Sequence, residues 1–232
     1  VGGDLNVAVI TGDYGESVDL FDALGIANVT LVNGLTGGEI VDFLTDTEHL
    51  SNFDMIFFDG GHIEAGVIYA KSIGDQETVL AVREAIRSYV EDEGGIVIAS
   101  DWAYDVVERV WPTALEWMGD DLVADDAQIG EAMNVDASIV DTALASSLGF
   151  ETINISYDLS VWPVMESTGE DVTVHLTGGI KYREGMDAYS VLDAPLAASF
   201  NAGAGRVIFP TWRNQANHKD EMFLLLTELL EL

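Results

Sequence analysis

The chain reads as an α/β fold, a doubly wound and mostly parallel sheet with a β-rich excursion in its second half. Three features carry that reading. Continuous apolar runs of strand length recur through the first half, each stopped by Gly or Asp, as strands buried on both faces do. Helix-like segments separate them, and strand–helix alternation implies parallel pairing through right-handed crossovers. After residue 120 the pattern changes to short strands divided by turn residues.

Each element follows in order. Residues 5–11 (LNVAVIT) form a first strand that ends at Gly12-Asp13. Residues 17–24 read as a short helix closed by Gly25, and residues 29–32 as a second strand. Residues 38–44 make a helical turn or two. Residues 54–59 (DMIFFD) are a third strand, stopped by Gly60-Gly61. Across residues 77–91, Val79, Val82, Ile86 and Val90 recur at the spacing of an amphipathic helix. Gly94-Gly95 ends it, residues 96–99 are a fourth strand, and residues 103–110 continue as a helix stopped before Pro112. Residues 120–126 form an acidic loop. Residues 135–148 read as a helix with Gly149 as its stop. Residues 151–157, 161–165, 172–176 and 180–183 are short strands. Residues 195–200, the turn Gly203-Ala204-Gly205, residues 206–210 and a last helix at 219–230 restore α/β character. No repeat or linker composition divides the chain. Residues 1–232 are therefore expected to form one domain, with an insertion-like segment at about 120–194.

The 232 residues include 41 acidic and 9 basic side chains, for a net charge of −32. An apolar fraction of 48% supports a core and excludes a disordered acidic chain. The acidity is spread along the chain, and Lys71, Lys181 and Lys219 are the only lysines. This pattern predicts adaptation to multimolar salt, where the screening length falls to about 3 Å and dense like charges stop repelling at a distance. At low ionic strength the same charges would push the compact state apart. The unfolding midpoint is thus expected to rise from dilute buffer to about 2 M KCl; a flat midpoint in a thermal melt would contradict the halophilic reading.

No basic stripe is present to neutralise phosphates, so no nucleic-acid partner is expected. No apolar run approaches the roughly 20 residues of a membrane span, and no signal peptide is visible. The first residue is Val1, not Met, which fits a processed, trimmed or excised product. Export or a cell-surface position is expected ahead of a high-salt cytoplasm. Cysteine is absent, which excludes disulfides, thiolate catalysis and Cys-ligated metals.

In an open α/β sheet, ligands sit beyond the carboxyl ends of the strands. The candidates are therefore Asp13 after the first strand and Asp59, Gly60, Gly61, His62 and Glu64 after the third. Ser100, Asp101, Trp102 and Tyr104 follow the fourth strand, and Trp212, Arg213 and Asn214 follow the late strand.

The succession FFDGGH, long helix, GGIVIAS and GRVIFPTWRNQ resembles the class I glutamine-amidotransferase-like superfamily, nearest to its trehalose-utilisation-type members. The resemblance spans about the first 110 and the last 40 residues. It implies a flavodoxin-like, amidotransferase-like sheet. It also implies oxyanion-hole amides at Asp59-Gly60-Gly61, a nucleophile elbow at Ser100-Asp101-Trp102, and a catalytic His near residues 209–214. The elbow holds no Cys and the late strand no His; His218 lies beyond it.

Ser100 would need a base within hydrogen-bond reach, with His62 and Asp101 as candidates. The Gly-x-Ser-x-Gly signature is missing, and the competing reading is that Ser100 or Asp101 caps the following helix. Asp59, His62 and Glu64 are candidate ligands for a divalent metal, although in so acidic a chain carboxylates near a His arise from composition alone. Beyond that metal, the only cofactors expected are hydrated cations on the acidic surface. Asp120, Asp121, Asp125 and Asp126 could take Ca²⁺, but their spacing is not that of an EF-hand, so a solvated loop is expected. His49 and His175 read as structural. Trp102 and Trp212 sit where a ring ligand could stack.

The leading expectation is a non-catalytic or catalytically reassigned amidotransferase-like domain with a binding or assembly role. The alternatives are a hydrolase using His62, Ser100 and Asp101, with or without a metal, and a carbohydrate-binding domain. A small-molecule or glycan ligand and a homo-oligomer are both compatible with the sequence.

Overall fold

The computed structural model describes residues 5–13, 18–61, 63, 66–119, 126–217 and 219–231. The first half runs β1 (Asn6–Thr11), α1 (Val18–Ala23), β2 (Asn28–Asn33), α2 (Gly37–Thr45), α3 (Thr47–Leu50) and β3 (Met55–Phe58). It continues with α4 (Gln76–Glu91), β4 (Ile96–Ala99) and α5 (Tyr104–Val110). The second half holds β5 (Leu115–Trp117), β6 (Ile129–Gly130), β7 (Met133–Ile139), α6 (Thr142–Leu148), β8 (Thr152–Tyr157) and β9 (Trp162–Pro163). Then follow β10 (Met165–Thr168), β11 (Thr173–Glu184), β12 (Asp187–Ala202), β13 (Gly205–Pro210) and α7 (Asp220–Glu231).

Five parallel strands in the order β2-β1-β3-β4-β13 form the centre of the sheet. Their continuous apolar sequences follow from cover on both faces. Ala8, Ile10, Ile56, Phe58, Val97 and Phe209 pack on one side with α2, α4 and α5. Val7, Val9, Met55, Phe57 and Ile208 pack on the other with α1 and α7. All four strands beside β2 deliver their carboxyl ends to one edge, and the winding reverses between β1 and β3.

The β-rich excursion grows out of this same sheet. β12 pairs antiparallel with β13, β11 with β12, and β6 and β7 with β11; β8 and β9 lie outermost. β5 and β10 form a separate two-stranded sheet. Among the described residues no helix is long and apolar enough to cross a membrane.

Residues 135–148 depart from the predicted single helix. They hold most of β7 and then α6. Val135, Ala137 and Ile139 are buried while Asn134, Asp136 and Ser138 are exposed, a period of two. Val135 and Ile139 also stand four apart, which imitates a helical stripe. The helix begins only where Asp141 accepts the amides of Ala143 and Leu144. It stops, as expected, at Gly149 with φ +78°. The predicted strands 172–176 and 180–183 are one strand, β11, and 161–165 divides into β9 and β10.

Candidate functional site

The ends of β1, β3, β4 and β13 close on one another. Gly12 lies so near the backbone after β3 that a Cβ there would fall 2.4 Å from the Gly60 carbonyl oxygen; only glycine permits that approach. A Cβ on Gly60 would lie 3.3 Å from Asp101 Oδ2 and 3.4 Å from Arg213 Cβ. Four strand ends thus meet, each within van der Waals distance of the segment after β3. Asp59 is buried, and its Oδ1 accepts the Gly60 amide at 2.9 Å. Gly61 adopts φ +101°, a conformation L side chains rarely take.

Asp101 is the strained residue of this edge. Among the described residues it is the one non-glycine with positive φ, at +50°, and it is only 3% exposed. The preceding Ser100 is extended, with φ −126°. Burial pushes the Asp101 carboxyl up to about 7, and the charges of Asp158 and Asp59 push the same way. The Trp102 amide and the Arg213 guanidinium oppose them without prevailing. A carboxyl off its ordinary range on a strained turn in a cleft marks a site candidate. Ser100 is wholly buried, its hydroxyl reaches the Phe58 carbonyl at 3.5 Å, and its side chain caps no helix. Of the two candidates in the predicted elbow, Asp101 therefore takes the turn.

The space in front of Asp101 is narrow. Arg213 donates from Nε to Asp158 Oδ1 at 2.9 Å and from Nη2 to Asp158 Oδ2. That pair holds the Asp158 carboxyl below its ordinary range. The Tyr157 hydroxyl donates to Thr211 Oγ1 at 2.6 Å, which donates onward to the Leu196 carbonyl. The Tyr157 ring stacks on Trp162, with centroids 4.0 Å apart. Asp101, Tyr157, Asp158, Trp162 and Arg213 line a pocket of about 10 Å³, room for one water.

Asp59, Gly60, Asp101 and Arg213 are thus gathered at the edge. Asp13 is exposed, and Asn214 is buried in the turn before α7. Trp102 and Tyr104 belong to the core on one face, ring edge to ring face at 5.3 Å. The Tyr104 hydroxyl accepts the Ala127 amide. Trp212 is wholly buried in the core of the opposite face. None of these three rings lines the pocket in front of Asp101. His62, Glu64, His218 and residues 120–125 lie outside the described residues, so the metal and Ca²⁺ readings fall largely outside them. Among the described residues no group of three or more His, Asp or Glu is placed to hold a metal ion.

A second polar constellation lies under α6 and α7. His175 on β11 meets Asp141 Oδ2 through Nδ1 at 2.8 Å and Ser199 Oγ through Nε2 at 2.7 Å. Arg206 donates to Ser199 Oγ at 2.7 Å and to the Leu229 carbonyl of α7 at 3.1 Å. The distances are those of a Ser-His-Asp relay, but Ser199 and His175 are buried, and Ser199 is engaged by both neighbours. Burial lowers the His175 pKa below its ordinary value, against the raising effect of Asp141. Burial also pushes the Asp141 carboxyl up, but the Leu144 amide, the His175 ring and the Ala143 amide together hold it below its ordinary range. The network bolts the antiparallel extension and both flanking helices to β13. His175 is buried on β11; its partners, 34 and 24 residues away, were not visible in the sequence.

No family model and no curated protein matches the chain. Solved structures do match in shape. A GMP synthase-like protein from Thermoplasma acidophilum aligns over 98% of this chain and 92% of its own, with a TM-score of 0.58 at 9% identity. A ThuA-like protein from Bacteroides uniformis aligns over 97% and 89%, with a TM-score of 0.59 at 11% identity. A β-galactosidase from Rahnella aligns over 99% of this chain but 32% of its own, with a TM-score of 0.53 at 16% identity. The chain has the α/β fold of the amidotransferase-like and ThuA-like proteins.

Proposed function

We propose that this chain is an amidotransferase-like domain released from covalent catalysis, with a binding or assembly role in a salt-loving organism and outside the cell. The observation that carries the reading is Asp101. A buried carboxylic acid stands on the one strained turn after β4, where the resembled superfamily keeps its nucleophile. A thiolate is excluded throughout, because the chain has no cysteine. Ser100 is buried, its hydroxyl against the Phe58 carbonyl of the neighbouring strand β3. The Arg213–Asp158 pair and Tyr157 leave room for little more than a water. The β-galactosidase match shows the same fold as about one third of a longer chain.

A hydrolase is the second reading. It is favoured by the neighbouring buried carboxyls of Asp59 and Asp101, one of them raised to about 7, a value suited to general acid–base work. Electrophilic probes separate the two. A fluorophosphonate for serine and a cyclitol epoxide for carboxylates are incubated with the protein and adducts are read by intact mass. No adduct at Ser100 or Asp101 is expected; a stoichiometric adduct at either residue overturns the leading reading.

A further inference from the structure

Two Asn-x-Ser/Thr triplets occur in the chain, Asn28-Val29-Thr30 and Asn154-Ile155-Ser156. With any residue but Pro in the middle, this is the acceptor pattern for an N-linked glycan. So short a pattern arises from composition alone, and its surroundings in the fold decide whether the amide can be reached. The two triplets differ there. Asn28 is the first residue of β2, and Asn28 and Thr30 are both exposed. β2 is the outermost strand at its end of the sheet and, among the described residues, pairs with β1 alone. The first residues of an edge strand open at little cost. The one buried side chain of β2, Val32, lies beyond the triplet, so Asn28 and Thr30 can bend into an enzyme's cleft without disturbing the core.

Asn154 stands inside β8, which pairs with β7 from Thr152 to Tyr157. Its Nδ2, the atom a glycan would take, donates to Asp136 Oδ1 at 2.9 Å. Its Oδ1 accepts from Lys219 Nζ at 3.3 Å. Asn217 accepts the Ser156 amide at 2.8 Å and donates to the Ser156 carbonyl at 3.0 Å. Ile153 and Ile155 are buried, so bending this triplet would draw β8 out of the core.

We propose that Asn28 carries an N-linked glycan and that Asn154 does not. The donor is an oligosaccharide on a polyprenyl phosphate or diphosphate carrier. Asn28 Nδ2 bonds to C1 of the first sugar and the C1–O bond to the carrier breaks. The carrier phosphate leaves with that electron pair, and the amide gives up one proton. Asn28 lies at the amino end of a parallel strand, on the edge of the sheet opposite Asp101, so the glycan leaves the strand-end site open. The proposal rests on the position outside the cell proposed above.

The full chain is fused behind an export leader and secreted by a halophilic host that N-glycosylates its own surface proteins. The added leader takes the native location out of the result; that location is read separately, by fractionating the cells that make the native protein. Peptide mapping by mass spectrometry is expected to find a glycan on the peptide holding Asn28 and none on the peptide holding Asn154. Asn28→Gln and Thr30→Ala should each remove it, and Thr30→Ser should retain it. Secreted wild-type protein with Asn28 unmodified, a modification that survives Thr30→Ala, or equal occupancy at Asn154 would each overturn the proposal.

Discussion

Replacing Asp101 with Asn is expected to stabilise the protein at pH 8 by up to roughly 4 kcal/mol. The Asp101 carboxyl is raised to about 7 in the fold, against about 3.9 in an unfolded chain. Between those values the folded state binds more protons than the unfolded one, so stability falls as pH rises, and the loss is complete above pH 7. That difference, at about 1.4 kcal/mol per pH unit, sets the upper figure. Asn keeps the shape, carries no charge and tolerates positive φ. The two proteins should therefore match near pH 4 and diverge by on the order of 10 °C in unfolding midpoint at pH 8. The observable is the difference between wild type and Asp101→Asn in thermal melts across pH, at constant high salt. Equal midpoints at pH 8 would mean that the carboxyl is solvated. A stabilisation of that size would support the proposed binding role of this edge.

The second large effect is expected at His175. His175→Ala should destabilise by about 2–4 kcal/mol, because it takes their ring partner from the Ser199 hydroxyl and Asp141 Oδ2 while opening a cavity. Ser199→Ala, which removes one hydroxyl, should cost less, about 1–2 kcal/mol. His175 contributes to pH dependence in the opposite sense to Asp101. Its folded pKa is lowered, so it stays neutral in the fold while the unfolded chain takes up protons, and stability falls as pH drops below about 6.5. Denaturant melts of His175→Ala, Ser199→Ala and the double variant measure the coupling. Strict additivity would show that the four groups do not act as a unit.

The parallel half of the sheet was legible because each strand is buried on both faces, and burial on both faces writes a continuous apolar run. The half beyond residue 120 was less so. Residues 135–139 alternate, but Val135 and Ile139 fall on a helical spacing as well, and the true helix start depended on Asp141 as a cap. The long ribbon of β11 and β12 looked broken at Gly178-Gly179, glycines the strand absorbs where its pairing register shifts. At the site, strand-end position alone picked out Asp59, Gly60, Asp101 and Arg213. It could not tell that Trp102 and Trp212 turn into opposite cores, because a tryptophan at a strand end packs or binds according to helices that follow much later. The Asp141–His175–Ser199–Arg206 network left no local signal at all, since its members share no motif.

Turnover is the most direct test of a domain released from covalent catalysis. Purified protein in multimolar KCl is presented with a panel of ester, amide and glycoside substrates, alongside Asp101→Asn and Ser100→Ala. The expected result is product formation no faster for wild type than for either variant. Hydrolysis of any substrate by the wild type that Asp101→Asn or Ser100→Ala abolishes would contradict it.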